Sequence, residues 1–161
     1  MSRSLIDLAP RGALRWLLRL PIHLYRARLG WLLGERFLML THQGRKSGLP
    51  RQTVIEVVQH DRKTDTYYVV SGWGSKADWY QNVEKNPNVL VHAGRRTLKA
   101  TAEPVPLERA IGILRAYARL HPIAFREIGR LFFGSSVSLE PEAVERLAGR
   151  MPMVALHARD Q

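Results

Sequence analysis

Phe37-Leu38-Met39-Leu40-Thr41-His42-Gln43-Gly44-Arg45-Lys46-Ser47-Gly48-Leu49-Pro50-Arg51-Gln52-Thr53-Val54-Ile55-Glu56-Val57-Val58 is the stretch that decides the fold. Two apolar runs, Phe37–Leu40 and Thr53–Val58, flank a short polar connection. Both are rich in branched and aromatic residues at strand length, so the reading is two strands joined by a tight turn. Gly44 and Gly48 bracket Arg45-Lys46-Ser47 and allow that turn. The connection carries His42, Arg45, Lys46 and Arg51, and no acid. Backbone N–H groups, a hydroxyl and fixed cations at a tight turn suit an anion such as a phosphate or carboxylate. The same residues also fit an ordinary solvated hairpin with charged tips, and spacing alone leaves both readings open.

Downstream, His60–Asp65 reads as a polar turn and Thr66–Ser71 as a third strand, antiparallel by its short connection. That strand ends in Ser71-Gly72-Trp73-Gly74-Ser75. Two glycines around a Trp allow close backbone approach to a ligand, or a loop Trp that covers the core edge. Ala77–Lys85 reads as a short helix with Asp78 near its start, ended by Asn86-Pro87-Asn88. Trp79 and Asn82 are three apart and share a face, which serves either a planar ligand or the core. Val89–Ala93 and Thr97–Glu103 form a further strand pair. Helices follow over Leu107–Arg119, Ile123–Phe133 and Glu140–Gly149, with Met153–Leu156 as a returning strand. About six mostly antiparallel strands, a helix inserted mid-sheet and helices at both ends predict an α+β protein with a small barrel or strongly bent sheet.

Upstream, residues 1–36 hold seven Arg against Asp7 and Glu35. Arg11, Arg15 and Arg19 recur every four residues between Trp16 and a series of Leu. This is the pattern of a basic amphipathic helix, broken at Pro21 and resumed over Ile22–Leu33. The reading divides the chain into a basic helical segment, 1–35, and a cofactor-binding barrel domain, 36–161. No apolar run reaches the roughly 20 residues of a membrane span. The segment 11–33 suits either the surface of an anionic bilayer or the surface of the domain. The expected location is cytoplasmic, with a peripheral place on the inner face of the membrane.

The chain of 161 residues fits one domain with a real core. It has no cysteine, which excludes disulfides, thiolate chemistry and thiolate zinc sites. The six histidines are scattered and no pair has metal-ligand spacing, so no metal is expected. There is no HExxH, P-loop or dinucleotide glycine motif, and no Ser/His/Asp arrangement is evident. The formal net charge is +11, and 20 of the 25 basic residues are Arg. Such a charge attracts nucleic acid, anionic lipid or an anionic cofactor. No nucleic-acid motif or interleaved stacking strip accompanies it, so a nucleic-acid partner is not expected. Glu56 is an acid in an otherwise apolar strand. It either points outward or, if buried, must be paired or protonated.

The anion loop, the Gly-Trp loop and the Trp/Asn helix together suit something flat and phosphorylated. In this order and spacing, Gly44–Gly48, Ser71–Gly74, Trp79-Tyr80-Gln81-Asn82 and Asn86-Pro87 resemble the deazaflavin-dependent nitroreductase family. The resemblance covers roughly residues 36–103. It implies a split β-barrel of the flavin-reductase kind and a reduced deazaflavin, coenzyme F420, as hydride donor. It implies a lipophilic unsaturated acceptor such as a quinone or nitroaromatic. Carried over, Arg45, Lys46, Ser47 and Arg51 would hold the phosphate and the acidic oligoglutamyl tail. Thr53, Val54 and Ile55 would lie along the ring system, and Ser71 and Gly72 would approach it through backbone. Asp78, Trp79 and Asn82 would complete the pocket. No protein nucleophile is needed, and Tyr117 and His121 are the nearest proton donors. The chain departs from nitroreductase-active members at Gly72 and Glu56, and by the absence of Tyr from His121–Glu127. The alternatives on the same barrel are a flavin mononucleotide-binding reductase and a non-catalytic lipid- or cofactor-binding protein.

Overall fold

A computed structural model of the chain describes residues 35–133 and 138–159. The basic segment expected over residues 1–35 lies outside them, except for Glu35. Six strands form a closed barrel: β1 (Phe37–Gln43), β2 (Pro50–Asp61), β3 (Thr66–Val70), β4 (Asn88–Ala93), β5 (Arg96–Pro104) and β6 (Met153–Ala158). Their order around the barrel is β1-β2-β3-β6-β5-β4, and β1 pairs with β4 to close it. Every pairing is antiparallel. Closure leaves no free sheet edge.

Four helices complete the described chain: α1 (Asp78–Lys85), α2 (Leu107–Leu120), α3 (Pro122–Phe133) and α4 (Pro141–Arg150). Alternation along the strands sends Leu38, Leu40, Ile55, Val57, Val69, Val91 and Leu156 into the barrel. Trp79, Tyr80 and Val83 of α1 join that interior cluster, so α1 closes off the core between β3 and β4 in sequence. A second cluster lies outside the barrel wall. There Tyr68, Val70, Met153 and Ala155 pack against Ile113, Leu114, Tyr117, Phe125, Val144 and Leu147 of the helices. β3 is therefore buried on both faces, which is why its sequence is an unbroken apolar run after Thr66.

β2 serves both clusters. Alternation sends Val57 to the interior and Val58 to the helices, and a bulge then shifts the register against β3 between Val57 and Gln59. The strand also begins earlier than its apolar run, at Pro50 opposite Gln43. Pro lacks only an N–H and is tolerated as a first strand residue. The connecting loop is thus six residues, 44–49.

Candidate cofactor site

The 44–49 loop is shaped by its own backbone. The N–H of Gly44 donates to the carbonyl of Leu49 at 2.8 Å, and the N–H of Gly48 to the carbonyl of Gly44 at 2.8 Å. Gly48 sits at φ +68, in the left-handed region. A Cβ on Gly44 would stand 2.8 Å from Ser47 Oγ and 3.3 Å from the Leu49 carbonyl, so a side chain there would displace the Ser47 hydroxyl and press on the loop backbone.

Helix α1 then locks the loop from outside. Asn82 Oδ1 accepts from the backbone N–H of Arg45 at 3.0 Å and from its guanidinium at 3.0 Å. The same guanidinium pairs with Asp78 at 3.0 Å. Lys85 Nζ donates to the Arg45 carbonyl at 3.2 Å. Gln43 donates to the Gly48 carbonyl at 3.1 Å, and Asn86 donates to the Gln43 side chain. Asn82 Nδ2 lies 3.1 Å from Nδ1 of His42. Since the Asn82 oxygen already accepts from Arg45, its amide must donate, so His42 Nδ1 accepts and the ring proton is on Nε2. Burial, with the Arg51 guanidinium adding to it and Asp78 opposing, holds the His42 pKa down at about 4, so the ring is neutral.

The three cations expected to hold an anion therefore differ. Arg45 is committed to Asp78 and Asn82. The side chains of Lys46 and Arg51 have no hydrogen-bond or ion-pair partner among the described residues. Lys46 and Ser47 are exposed at the loop tip. Ser47 Oγ accepts from the N–H of Leu49 at 3.3 Å. Arg51 is exposed opposite His42, on the inward-facing row that continues through Thr53 and Ile55.

Alternation separates the next three residues. Thr53 and Ile55 face inward opposite Leu40 and Leu38, while Val54 is outward opposite Met39. Ile55 and Trp79 are each 8% exposed and belong to the barrel interior. Ser71 is wholly buried. Its N–H donates to the Pro152 carbonyl at 2.9 Å and its hydroxyl to the Gly74 carbonyl at 2.7 Å. Gly72 beside it is buried too, and Trp73 packs against the interior cluster. The structure thus joins Arg45, Asp78 and Asn82 in one contact set. It places Arg51 and Thr53 on a neighbouring row and keeps Ser71, Gly72 and Trp79 within the packed body.

On the outer wall, Glu56 is neither free nor unpaired. It accepts from Arg36 Nε at 3.0 Å and from the Tyr117 hydroxyl on α2. Burial and the Glu56 carboxylate together hold the Tyr117 pKa above its ordinary value. The His121 ring at the end of α2 lies 5.2 Å from the Tyr117 ring.

A cleft of about 380 Å³ opens on the β4–β5 side of the loop, lined by His42, Gly48, Pro50, Leu90, Lys99 and Arg159 among others. Lys99 and Arg159 were not expected from the sequence. Lys99 lies on β5 and Arg159 follows β6, and only barrel closure brings them to a loop that begins at residue 44. His42 and Lys85 were also missed as loop supports. His42 was noted as a loop residue, but its role needs Asn82 beside it. Among the described residues, no group of His, Cys, Asp and Glu is placed to hold a metal.

Comparison with known proteins adds to this geometry. The family model for F420H(2)-dependent quinone reductase matches residues 17–127. The F420H(2)-dependent quinone reductase of Mycobacterium tuberculosis is 33% identical over 98 positions, covering 55% of this chain and 63% of that protein. The chain therefore spans less than two thirds of that relative's length. Among solved structures, an F420-H2 dependent reductase, FDR-A, superposes with TM-score 0.52 at 21% identity, covering 77% of this chain and 96% of that one. A pyridoxamine 5'-phosphate oxidase-related, FMN-binding protein from Nostoc punctiforme superposes with TM-score 0.56 at 13% identity, covering 95% and 82%. At these identities the two structures speak for the split-barrel fold alone.

Proposed function

The chain belongs to the F420H(2)-dependent quinone reductase family, and from that premise we propose that it is an oxidoreductase passing hydride from reduced coenzyme F420 to a quinone-like lipophilic acceptor. The observation that carries this reading is the loop at 44–51. It is acid-free, pinned by Asn82, and leaves Lys46 and Arg51 uncommitted. Two such cations beside turn N–H groups fit a phosphodiester and a carboxylate-bearing chain.

When bound, the reduced coenzyme supplies the hydride. The chain's own residues position it and exclude water. Lys46 and Arg51 hold the anionic part, with Arg45, Asp78 and Asn82 setting the loop's shape. Thr53, half-buried on the same row as Arg51, would lie along the ring system. Tyr117 already donates its proton to Glu56, so the exposed His121 is the better proton source for a reduced quinone. The departures from nitroreductase-active members at Gly72 and Glu56, with the family match, argue for a quinone over a nitro group as acceptor.

A lipophilic acceptor also fits the α2–α3 corner. Leu120 and Ile123 there are 75% and 76% exposed, beside Arg119 and Arg126. Such a pairing of apolar knuckle and cations suits contact with an anionic leaflet and supports a peripheral place on the cytoplasmic face of a membrane. The segment 11–33 would add a second contact. Among the described residues no helix is long and apolar enough to cross a membrane.

The test is re-oxidation of reduced F420, followed by its absorbance, with a quinone and with a nitroaromatic as acceptors. Fast re-oxidation by the quinone and slow re-oxidation by the nitroaromatic is expected. No acceleration over the protein-free rate with any quinone would overturn the reading.

A further inference from the structure

The barrel wall has a second outer face, away from α2, α3 and α4. On β1, Met39 and Thr41 point outward, opposite Val54 and Gln52 of β2 and opposite His92 and Leu90 of β4. The three helices cover β3, β6 and Val58 of β2, and α1 closes the interior. Met39 belongs to neither packed cluster. Its side chain is nevertheless only 4% exposed.

Burial falls away on both sides of Met39. Phe37 and Thr41 along the strand are half-buried, as are Val54 and His92 beside it. Burial also lowers the His92 pKa. Leu90 is already 38% exposed, and Thr97 and Lys99 on β5 are exposed. A narrow buried stripe along one strand, with open flanks, is the footprint of a single helix. A broad interface with another protein would bury Leu90 and the face of β5 as well.

The chain itself supplies such a helix. Ile22, Tyr25, Leu29, Leu32 and Leu33 recur at i, i+3, i+7, i+10 and i+11, which in a helix gives one apolar side flanked by Arg26 and Arg28. Only Gly34, Glu35 and Arg36 separate Leu33 from Phe37, so a short turn lays that helix back along β1. A helix over 22–33 is about 18 Å long at about 1.5 Å per residue, and Thr41 lies about 13 Å from Phe37 at about 3.3 Å per residue. The helix is long enough to run the length of the buried stripe.

We infer that the outer face of β1 is the docking surface for residues 22–33 of this same chain, with Leu29 seated over Met39 and Tyr25 over Thr41. The register follows from the two rises: Leu29 lies about 6 Å from Leu33 along a helix, and Met39 about 7 Å from Phe37 along a strand. The inference rests on the packing of the barrel and is independent of the cofactor reading. It gives the apolar side of 22–33 to the domain and leaves the Arg11, Arg15 and Arg19 stripe of the preceding piece to meet an anionic leaflet.

The chain has no cysteine, so a disulfide between two introduced ones is unambiguous. The experiment is oxidation of the full chain carrying Leu29→Cys/Met39→Cys, read by non-reducing electrophoresis and mass. The control is Ala27→Cys/Met39→Cys, because Ala27 falls on the opposite side of the helix from Leu29. An intrachain disulfide is expected in the first variant, formed at least about tenfold faster than in the control, since Cα atoms more than about 7 Å apart are not bridged. Tyr25→Cys/Thr41→Cys repeats the test with Met39 in place, and a thermal melt shows that each variant is folded. Equal rates for the Leu29 and Ala27 pairs, or no intrachain bond in either register pair, overturns the docking. A disulfide that joins two chains instead assigns the face to a second copy and also overturns it. An intrachain bond that anionic vesicles suppress gives the apolar side of the segment to lipid, with the same consequence.

Discussion

His42 and Asn82 decide how the site is built, although both are nearly buried. Asn82 is 3% exposed and bridges His42 to both the backbone and side chain of Arg45. Asn82→Ala removes the acceptor for a part-buried N–H and the donor to His42. Each lost partner costs about 1–3 kcal/mol. The variant should melt several degrees lower and bind cofactor more weakly, with Lys46 and Arg51 intact. Calorimetry and a binding titration check this; a lower affinity at an unchanged melting temperature would show that Asn82 touches the ligand rather than the loop. His42 sets a pH dependence. Its folded pKa is about 4 against an ordinary 6.5. Between those values the unfolded chain holds a proton that the folded one refuses, so stability is complete above about 6.5 and falls as pH drops toward 4. The shift amounts to on the order of 3 kcal/mol. Urea melts at pH 7 and pH 4.5 should show the loss, and His42→Gln should remove most of the slope.

At the scale of elements, β2 is the strand on which the two clusters meet, and Glu56 is its outward anchor to α2. The Arg36–Glu56–Tyr117 set is part-buried, and the raised Tyr117 pKa keeps the phenol protonated as a donor. Tyr117→Phe should lower stability by about 1–2 kcal/mol through the weakened hold on Glu56. It should leave the quinone reaction rate within a few-fold, because His121 remains. A loss of rate without loss of stability would instead make Tyr117 the proton source. The strands themselves were legible, since runs of branched and aromatic residues at strand length mark β1 and β2 and the later strands repeat the signal. The helices followed from apolar residues at helical spacing and from the prolines that bound them. What the sequence hid is what alternation and closure impose. Val54 faces away from Thr53 and Ile55, and Ile55 is inside the barrel. Glu56 points outward, one of the two placements its strand allows, but under a helix, so it needs partners that lie 20 and 61 residues away. Arg45, Lys46 and Arg51 looked alike in the loop. Only Asn82, 37 residues away, separates the pinned cation from the open ones. Lys99 and Arg159 could not be assigned to the loop without the barrel.

For the whole molecule, a closed barrel with helices on one side of its wall leaves the loop end as a cationic surface on a chain of net charge +11. Affinity for an anionic cofactor should therefore fall with added salt, because the exposed Lys46 and Arg51 are screened within a Debye length of about 8 Å at physiological ionic strength. The family model spans β1 to β5 with the loop between β1 and β2, and on the proposed function that loop is what ties the fold to its cofactor. The most direct measurement is a paired titration of the native chain and of Lys46→Ala/Arg51→Ala with F420 and with flavin mononucleotide. Each cation lost from a charge-assisted contact costs about 1.5–3 kcal/mol. Tight F420 binding by the native chain, weak flavin binding, and loss of F420 affinity by at least a hundredfold in the variant is the result expected. Preference for flavin mononucleotide, or F420 binding that the double variant leaves unchanged, would contradict it.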